Sequence, residues 1–115
     1  MRDFTKLEVW KRSHALTLRI YQITKHYPKD ELFGLTSQMR RSSSSIPTNI
    51  AEGCGRNTNP QLKQFLAIAT GSSSELQYQL ILSKDLQYIS ESSFIELHEE
   101  IVQVRKMIFA YSNQL

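Results

Sequence analysis

The chain has 115 residues, 40% of them hydrophobic and 22% charged, a composition that fits one globular domain spanning residues 1–115. Its single cysteine, Cys54, excludes an internal disulfide, and no apolar run approaches the roughly 20 residues that a membrane-spanning helix needs. Charges occur throughout the first residues without the apolar segment of a secretory signal peptide, so we expect a cytoplasmic protein that does not contact membrane.

Charge is distributed unevenly along the chain, whose net charge is +3. Residues 1–63 carry 11 of the 14 Lys and Arg but 5 of the 11 Asp and Glu, a net charge of +6, and residues 64–115 carry −3. This division predicts either a positive surface for an anionic partner or complementary surfaces on neighbouring subunits. Solvated charges scattered over amphipathic helices are the alternative explanation.

The first predicted helix begins at Thr5-Lys6-Leu7-Glu8, a capping box in which Thr5 and Glu8 would each bond the other's backbone N–H. Pro28 is expected to end it. Its apolar residues form two stripes, which indicate two packing partners, as in a bundle. The first stripe comprises Leu7, Trp10, His14, Leu18 and Tyr21, and the second comprises Val9, Leu16, Ile20, Ile23 and Tyr27.

The second predicted helix covers residues 35–53, although its serines, proline and glycine look at first like a linker. Helical spacing continues through Leu35, Met39, Ser42/Ser43, Ile46 and Ile50. We expect Pro47 to kink this helix and to free the carbonyl of Ser43, which a nearby serine hydroxyl could bond. Gly53 would close the helix.

The third predicted helix starts at Asn59-Pro60, with Asn59 as the N-cap and proline at the first helical position. One face of it carries Leu62, Leu66, Ala69, Ser73, Leu76 and Leu80. Small residues at 71–74 lie at mid-length, as the serines do in the second helix. The two helices are therefore expected to cross closely at these points.

The fourth predicted helix is marked by a capping box of Ser93 and Glu96. Its apolar stripe comprises Phe94, Leu97, Ile101, Val104, Ile108, Tyr111 and Leu115. Four helices with short connections predict an all-α fold, an antiparallel up-down-up-down four-helix bundle whose second helix is kinked at Pro47.

No constellation of catalytic or metal-binding residues is evident. None of His14, His26 and His98 follows a carboxylate by three residues, which argues against a di-metal bundle site, and His98-Glu99-Glu100 lacks the second histidine of a zinc motif. Cys54 near Arg56 could have a lowered pKa, but no base lies near it in sequence. We therefore expect no enzyme, no metal and no cofactor.

The remaining polar candidates fall into two groups. The first consists of residues expected near the helix crossing, where they would make structural polar contacts: Asn49, Glu52 and Glu75. Glu75 would bond a serine or Asn49, or pair with Arg40 or Arg41. The second consists of basic residues expected to contact nucleic-acid phosphates: Arg12, Arg19, Arg40, Arg41, Arg56 and Lys63.

Trp10, the segment TLRIYQITKHYPKDELFGLTSQMRRSSSSIPTNIAEGCGR and the segment FLAIATGSSSEL resemble a family of small bacterial four-helix-bundle proteins. That family was first noticed in intervening sequences of the 23S rRNA gene. The stretch SQMRRSSSSIPTNIAEG is the most specific part, although the family usually has Ala-Ala-Val or similar where this chain has Ser42, Ser43 and Ser44. The resemblance implies an antiparallel four-helix bundle that assembles into a homopentamer. It also implies kinship with accessory proteins of diversity-generating retroelements, which bind reverse transcriptase and nucleic acid through a basic surface.

Together, these observations predict a non-enzymatic homo-oligomeric module that contacts RNA or DNA as an accessory to a nucleoprotein complex, with a reverse transcriptase among the candidate partners. The alternative is a protein-interaction scaffold without nucleic-acid binding. In that case the basic residues would pair with an acidic helix face of a neighbouring subunit, formed by Glu96, Glu99 and Glu100.

Overall fold

The computed structural model describes residues 2–115. Its four α-helices are α1 (Glu8–Thr24), α2 (Leu35–Cys54), α3 (Asn59–Asp85) and α4 (Glu91–Asn113). Short 3-10 turns lie at Phe4–Lys6 and Lys29–Glu31, and no strand occurs within the described residues. This confirms the predicted all-α bundle. None of these helices combines the length and the apolarity needed to cross a membrane.

The core is formed by one apolar stripe from each helix. The predicted face of α3 is confirmed, because all six of its residues are buried: Leu62, Leu66, Ala69, Ser73, Leu76 and Leu80. On α4 the middle of the predicted stripe, Leu97, Ile101, Val104 and Ile108, is buried, whereas Phe94, Tyr111 and Leu115 are partly buried against the core.

The second stripe predicted for α1 enters the core through Val9, Leu16, Ile20 and Tyr27, which are buried. Leu7 and Trp10 of the first stripe are only partly buried against it. Leu18 and Tyr21 of the first stripe stay 53% and 41% exposed. The described residues thus cover the first stripe of α1 less completely than the second.

The start of α1 differs from the prediction. α1 begins at Glu8, and Thr5 lies in the preceding turn, where its hydroxyl donates to Asp3 Oδ1 at 2.6 Å. The capping box of Thr5 and Glu8 is therefore absent, because Thr5 lies in the turn and Leu7 occupies the N-cap position of α1. The helix also ends at Thr24, four residues before Pro28, and further turns occupy the interval.

The caps of α3 and α4 also lie upstream of the predicted residues. Thr58 caps α3 by accepting a bond from the backbone N–H of Gln61 at 3.3 Å, so Asn59 is the first helical residue rather than the cap. Ser90 caps α4 by accepting from the backbone N–H of Ser93 at 3.1 Å. In both cases an earlier hydroxyl serves as cap, and the helix begins before the predicted position.

α2 is one continuous helix that includes Pro47 and ends at Cys54, one residue beyond the predicted end. The hydroxyls of Ser43 and Ser44 bond carbonyls three residues earlier in α2, so neither satisfies the carbonyl that Pro47 leaves without a partner. That carbonyl, of Ser43, is bonded instead by Thr17 of α1. The kink at Pro47 stays a prediction.

The predicted close crossing of α2 and α3 is confirmed. Ser45 Oγ and Ser72 Oγ lie 2.8 Å apart, and Ser42 Oγ donates to Oε1 of the buried Gln79 at 2.6 Å. As the residue number falls from Ser45 to Ser42 on α2, the number of the contacting residue rises from Ser72 to Gln79 on α3, so these two helices are antiparallel as predicted. The up-down-up-down order of the whole bundle stays a prediction. Gly71 takes no part in the approach, since a Cβ there would meet nothing within 4 Å.

Candidate nucleic-acid interface

The basic residues predicted to contact phosphate lie in three separate places. Arg12 and Arg19 lie where α1 faces α4, Arg40 and Arg41 lie in the second turn of α2, and Arg56 and Lys63 lie around the loop between α2 and α3. Their surroundings differ enough that they are not equivalent candidates.

The two arginines of α1 are paired within the chain. Arg12 binds Glu100 through two contacts, Nη2 to Oε1 at 2.5 Å and Nε to Oε2 at 3.1 Å, and the hydrogen bond raises the pKa of the Arg12 guanidinium. Arg19 Nη2 lies 2.9 Å from Oε1 of Glu96. The acidic residues Glu96 and Glu100 of α4 thus neutralise basic residues of their own chain.

The basic residues at the α2–α3 loop are less constrained. Arg56 Nη2 is 3.9 Å from Glu52 Oε2, and its guanidinium lies over the ring of Phe65 at 4.9 Å. Lys63 is exposed and forms no ion pair with any residue in the range 2–115. It lines a shallow groove that also contains Phe109.

Within residues 2–115, Arg40 is held in place by groups other than a carboxylate. Its Nε donates to Thr24 Oγ1 at 3.0 Å, its Nη2 donates to the carbonyl of Tyr21 at 3.3 Å, and its guanidinium lies 4.8 Å from the centre of the Tyr21 ring. These contacts fix the side chain but leave its positive charge uncompensated. Arg41 is exposed, and within the described part of the chain it makes no ion pair.

Arg40 and Arg41 line one groove of about 510 Å³, which we call the Arg40 groove. It is formed by Tyr21, Leu32, Phe33, Thr36, Ser37, Arg40 and Arg41, and among the described residues no carboxylate lines it. A neighbouring groove shares Leu32, Thr36 and Arg40 and adds the lysines at positions 25 and 29. The result is a cationic surface with apolar side chains inside it.

Sequence reasoning missed the aromatic part of this surface. Phe33 is 93% exposed and lies just before α2. The one signal in the sequence was that Phe33 belongs to none of the helical apolar stripes.

A second groove, of about 660 Å³, lies between α1 and α2 and is mainly apolar. Trp10 stacks on His14 with ring centres 5.1 Å apart, and Phe4 meets the edge of Trp10 at the same distance. The opposite wall includes Pro47 and Ala51. This groove and the exposed Leu18 follow the first predicted stripe of α1, and together we call them the α1 surface.

The sequence matches the family model of the 23S rRNA-intervening sequence protein over residues 5–110. The chain belongs to this family. Its fold is similar to that in the crystal structure of a protein with unknown function from the S23 ribosomal protein family of Bacteroides thetaiotaomicron VPI-5482, with a TM-score of 0.84 and 23% sequence identity. The similarity covers 91% of this chain and 95% of that chain, and it shows a shared fold. No curated protein matches the chain.

In this chain, the three predicted structural polar residues do not form one cluster. Asn49 Nδ2 donates to the carbonyl and the hydroxyl of Ser45, at 2.7 and 2.9 Å. Glu52 is exposed and has only the long contact to Arg56. Glu75 accepts a bond from Gln79 Nε2 at 3.5 Å, and not the predicted bond from Asn49 or an arginine.

Cys54 of this family member is fully buried at the end of α2. Burial raises the pKa of its thiol, and the positive charge of Arg2 lowers it to a smaller extent. The lowered pKa considered from the sequence is therefore contradicted. Burial in an apolar environment instead disfavours the reactive thiolate.

Proposed function

We propose that this protein is a non-enzymatic homo-oligomeric binding module that contacts RNA or DNA through the Arg40 groove, as an accessory to a nucleoprotein complex. The observation that supports this most is the pair Arg40 and Arg41, two arginines in one groove without a carboxylate. Arg12 and Arg19, by contrast, are engaged by Glu100 and Glu96. The cationic surface available to an anionic partner is thus centred on α2.

A phosphodiester backbone suits this groove chemically. A guanidinium donates in a planar fork that matches two phosphate oxygens, and Arg40 is already oriented by its bonds to Thr24 and Tyr21. Because an oriented side chain loses little conformational freedom on binding, its contact with phosphate costs less entropy. Phosphate binding of this kind weakens steeply as salt concentration rises.

Self-association is the second part of the proposal, and the α1 surface supports it. Trp10 there is only partly covered by the described residues, His14 is exposed, and Leu18 is 53% exposed. A second copy would cover such a surface, and burial of apolar area stabilises association. The family resemblance implies a homopentamer, in which the Arg40 groove would be present five times, so that weak phosphate contacts of single copies would add through multivalency.

The nucleoprotein setting rests on the resemblance to accessory proteins of diversity-generating retroelements, which bind a reverse transcriptase. We propose a reverse transcriptase or another nucleoprotein component as the protein partner, in the cytoplasm. A protein-interaction scaffold without nucleic-acid binding is the second candidate. It is favoured by exposed apolar residues away from the α1 surface, among them Ile68, Tyr78 and Phe109.

Fluorescence anisotropy separates the two candidates. Labelled structured RNA and labelled duplex DNA are titrated with the purified protein over a series of salt concentrations. For the binding module we expect micromolar or tighter affinity. The logarithm of the association constant should fall linearly with the logarithm of the salt concentration. Absence of binding at low salt would contradict it and leave the scaffold.

A further inference from the structure

We propose that the Arg40 groove selects single-stranded nucleic acid, with an unstacked base lying against the ring of Phe33. This inference rests on the proposed function, and it names the form of nucleic acid that the groove recognises. It is carried by the position of one exposed aromatic ring among arginines.

Phe33 is the most exposed large hydrophobic side chain of the described residues, at 93%. Its neighbour Leu32 is 50% exposed, whereas Leu35, two residues after Phe33, is buried in the core. None of the residues 2–115 covers the Phe33 ring to any large extent, so its two faces are accessible. An exposed phenyl ring offers a stacking surface that suits any base, since every base has a π-face.

Tyr21, the other aromatic residue of the groove, is already occupied. The guanidinium of Arg40 lies over its ring at 4.8 Å and also bonds its carbonyl. The two aromatic residues therefore have different roles. Tyr21 orients the cation that would meet a phosphate, and Phe33 remains for a base.

A duplex could use only half of this arrangement. In double-stranded nucleic acid the bases stack on one another, and their faces are not available to a side chain at the surface. A single strand presents phosphates and base faces together, which is the combination that sequence-tolerant single-strand binders use. The neighbouring groove with Lys25 and Lys29 extends the cationic surface, so that a strand longer than one nucleotide can follow it.

The test compares a fluorescein-labelled oligouridine of about 12 nucleotides, within the range of known single-strand site sizes, with a duplex of the same length. Wild type, Phe33→Ala and Arg41→Ala are titrated by anisotropy, and Phe109→Ala serves as a matched control because Phe109 is an exposed phenylalanine of α4.

Loss of one base stack is expected to weaken single-strand binding of Phe33→Ala by about 5- to 150-fold. Its duplex binding should change less than about twofold, since the phosphate contacts remain. Arg41→Ala should weaken binding of both the single strand and the duplex, and Phe109→Ala should weaken neither.

Four other results would overturn the inference, and each would point to a different error. If nucleic acid binds and Phe33→Ala binds the single strand like wild type, the base contact is wrong while the proposed function stands. If neither nucleic acid binds, both fail. A poly-glutamate peptide that displaces the oligouridine equally well per charge would show an anion site without base recognition. A changed oligomeric mass of Phe33→Ala would assign Phe33 to a subunit interface instead.

Discussion

The hydroxyl oxygen of Thr17 in α1 lies 3.0 Å from the carbonyl oxygen of Ser43 in α2. Ser43 precedes Pro47 by four residues, and proline has no N–H, so α2 cannot bond this carbonyl itself. Thr17 is 7% exposed, and its hydroxyl also lies 2.9 Å from the carbonyl of Ser13. The single proton of this buried hydroxyl is shared between the carbonyls of Ser13 and Ser43, so Thr17 supplies a donor to the carbonyl left unpaired by Pro47.

Replacing Thr17 by Val should destabilise the fold by about 1–3 kcal/mol, because it keeps the side-chain shape but leaves a buried carbonyl unbonded. The free energy of unfolding, measured by urea denaturation, provides the check. Thr17→Ser keeps the hydroxyl and should cost less than Thr17→Val.

A double-mutant cycle with Pro47→Ala isolates the cause. Alanine restores the N–H that can bond the carbonyl of Ser43, so in that background Thr17→Val should cost at least about 1 kcal/mol less. If the two substitutions are additive, the hydrogen bond between Thr17 and Ser43 does not stabilise the fold in the way described.

Two glycines of the helices should respond in opposite ways to alanine. A Cβ at Gly53 would lie 2.7 Å from Leu62 Cδ1 and 3.0 Å from Phe65 Cβ, so we expect a loss of about 1–3 kcal/mol from overpacking. Gly71→Ala meets nothing within 4 Å and should gain up to about 1 kcal/mol from helix propensity. Thermal denaturation of both variants tests this, and a destabilising Gly71→Ala would mean that another surface packs against that site.

Stability at alkaline pH should depend on Tyr88. Its hydroxyl donates to Glu31 Oε2 at 2.8 Å, and this bond raises the pKa of Tyr88 above its usual value of 10. The bonded, protonated form is favoured in the folded state, so its contribution is complete below pH 10 and is lost as the pH rises through the raised pKa.

Tyr88→Phe should therefore be less stable than wild type at pH 8, and the difference should shrink above pH 10 and vanish once the pH exceeds the raised pKa of Tyr88. Urea denaturation at a series of pH values measures this, with the exposed Tyr78→Phe as the control for loss of one tyrosine. A stability difference that does not vary with pH would exclude the hydrogen bond as its cause.

Leu18→Glu should dissociate the oligomer, because it places a charge in the α1 surface that a second copy is proposed to cover. Analytical ultracentrifugation of wild type and variant reads the mass directly. Phe109→Glu introduces the same charge at a side chain that is 68% exposed on α4 and should leave the mass unchanged. Dissociation by Phe109→Glu alone would place the interface on α4.

The helix faces could be predicted from the sequence because burial follows the helical period. Leu62, Leu66 and Leu76 are buried as their spacing requires. The caps could not be assigned in the same way, since Ser90, Ser92 and Ser93 all lie near the start of α4 and any of them has the required hydroxyl.

The candidate site was only partly predictable. Arg12 and Glu100 are 88 residues apart in sequence, so the pairing that neutralises Arg12 depends on how α1 lies against α4 and has no local signal. The sequence shows that Arg40 and Arg41 are basic. It does not show that, among the described residues, no carboxylate lines the groove around them. The exposure of Phe33 likewise follows from the path of the loop rather than from its residue type.

The most direct test of the account compares Arg41→Ala with Arg19→Ala in nucleic-acid binding across a salt series. Both variants lose one positive charge per chain, but Arg41 lies in the Arg40 groove and Arg19 is paired with Glu96. Weaker binding with a shallower salt dependence for Arg41→Ala, and little change for Arg19→Ala, is the predicted result. Equal losses for the two variants would contradict the account, because binding would then follow net charge rather than the groove.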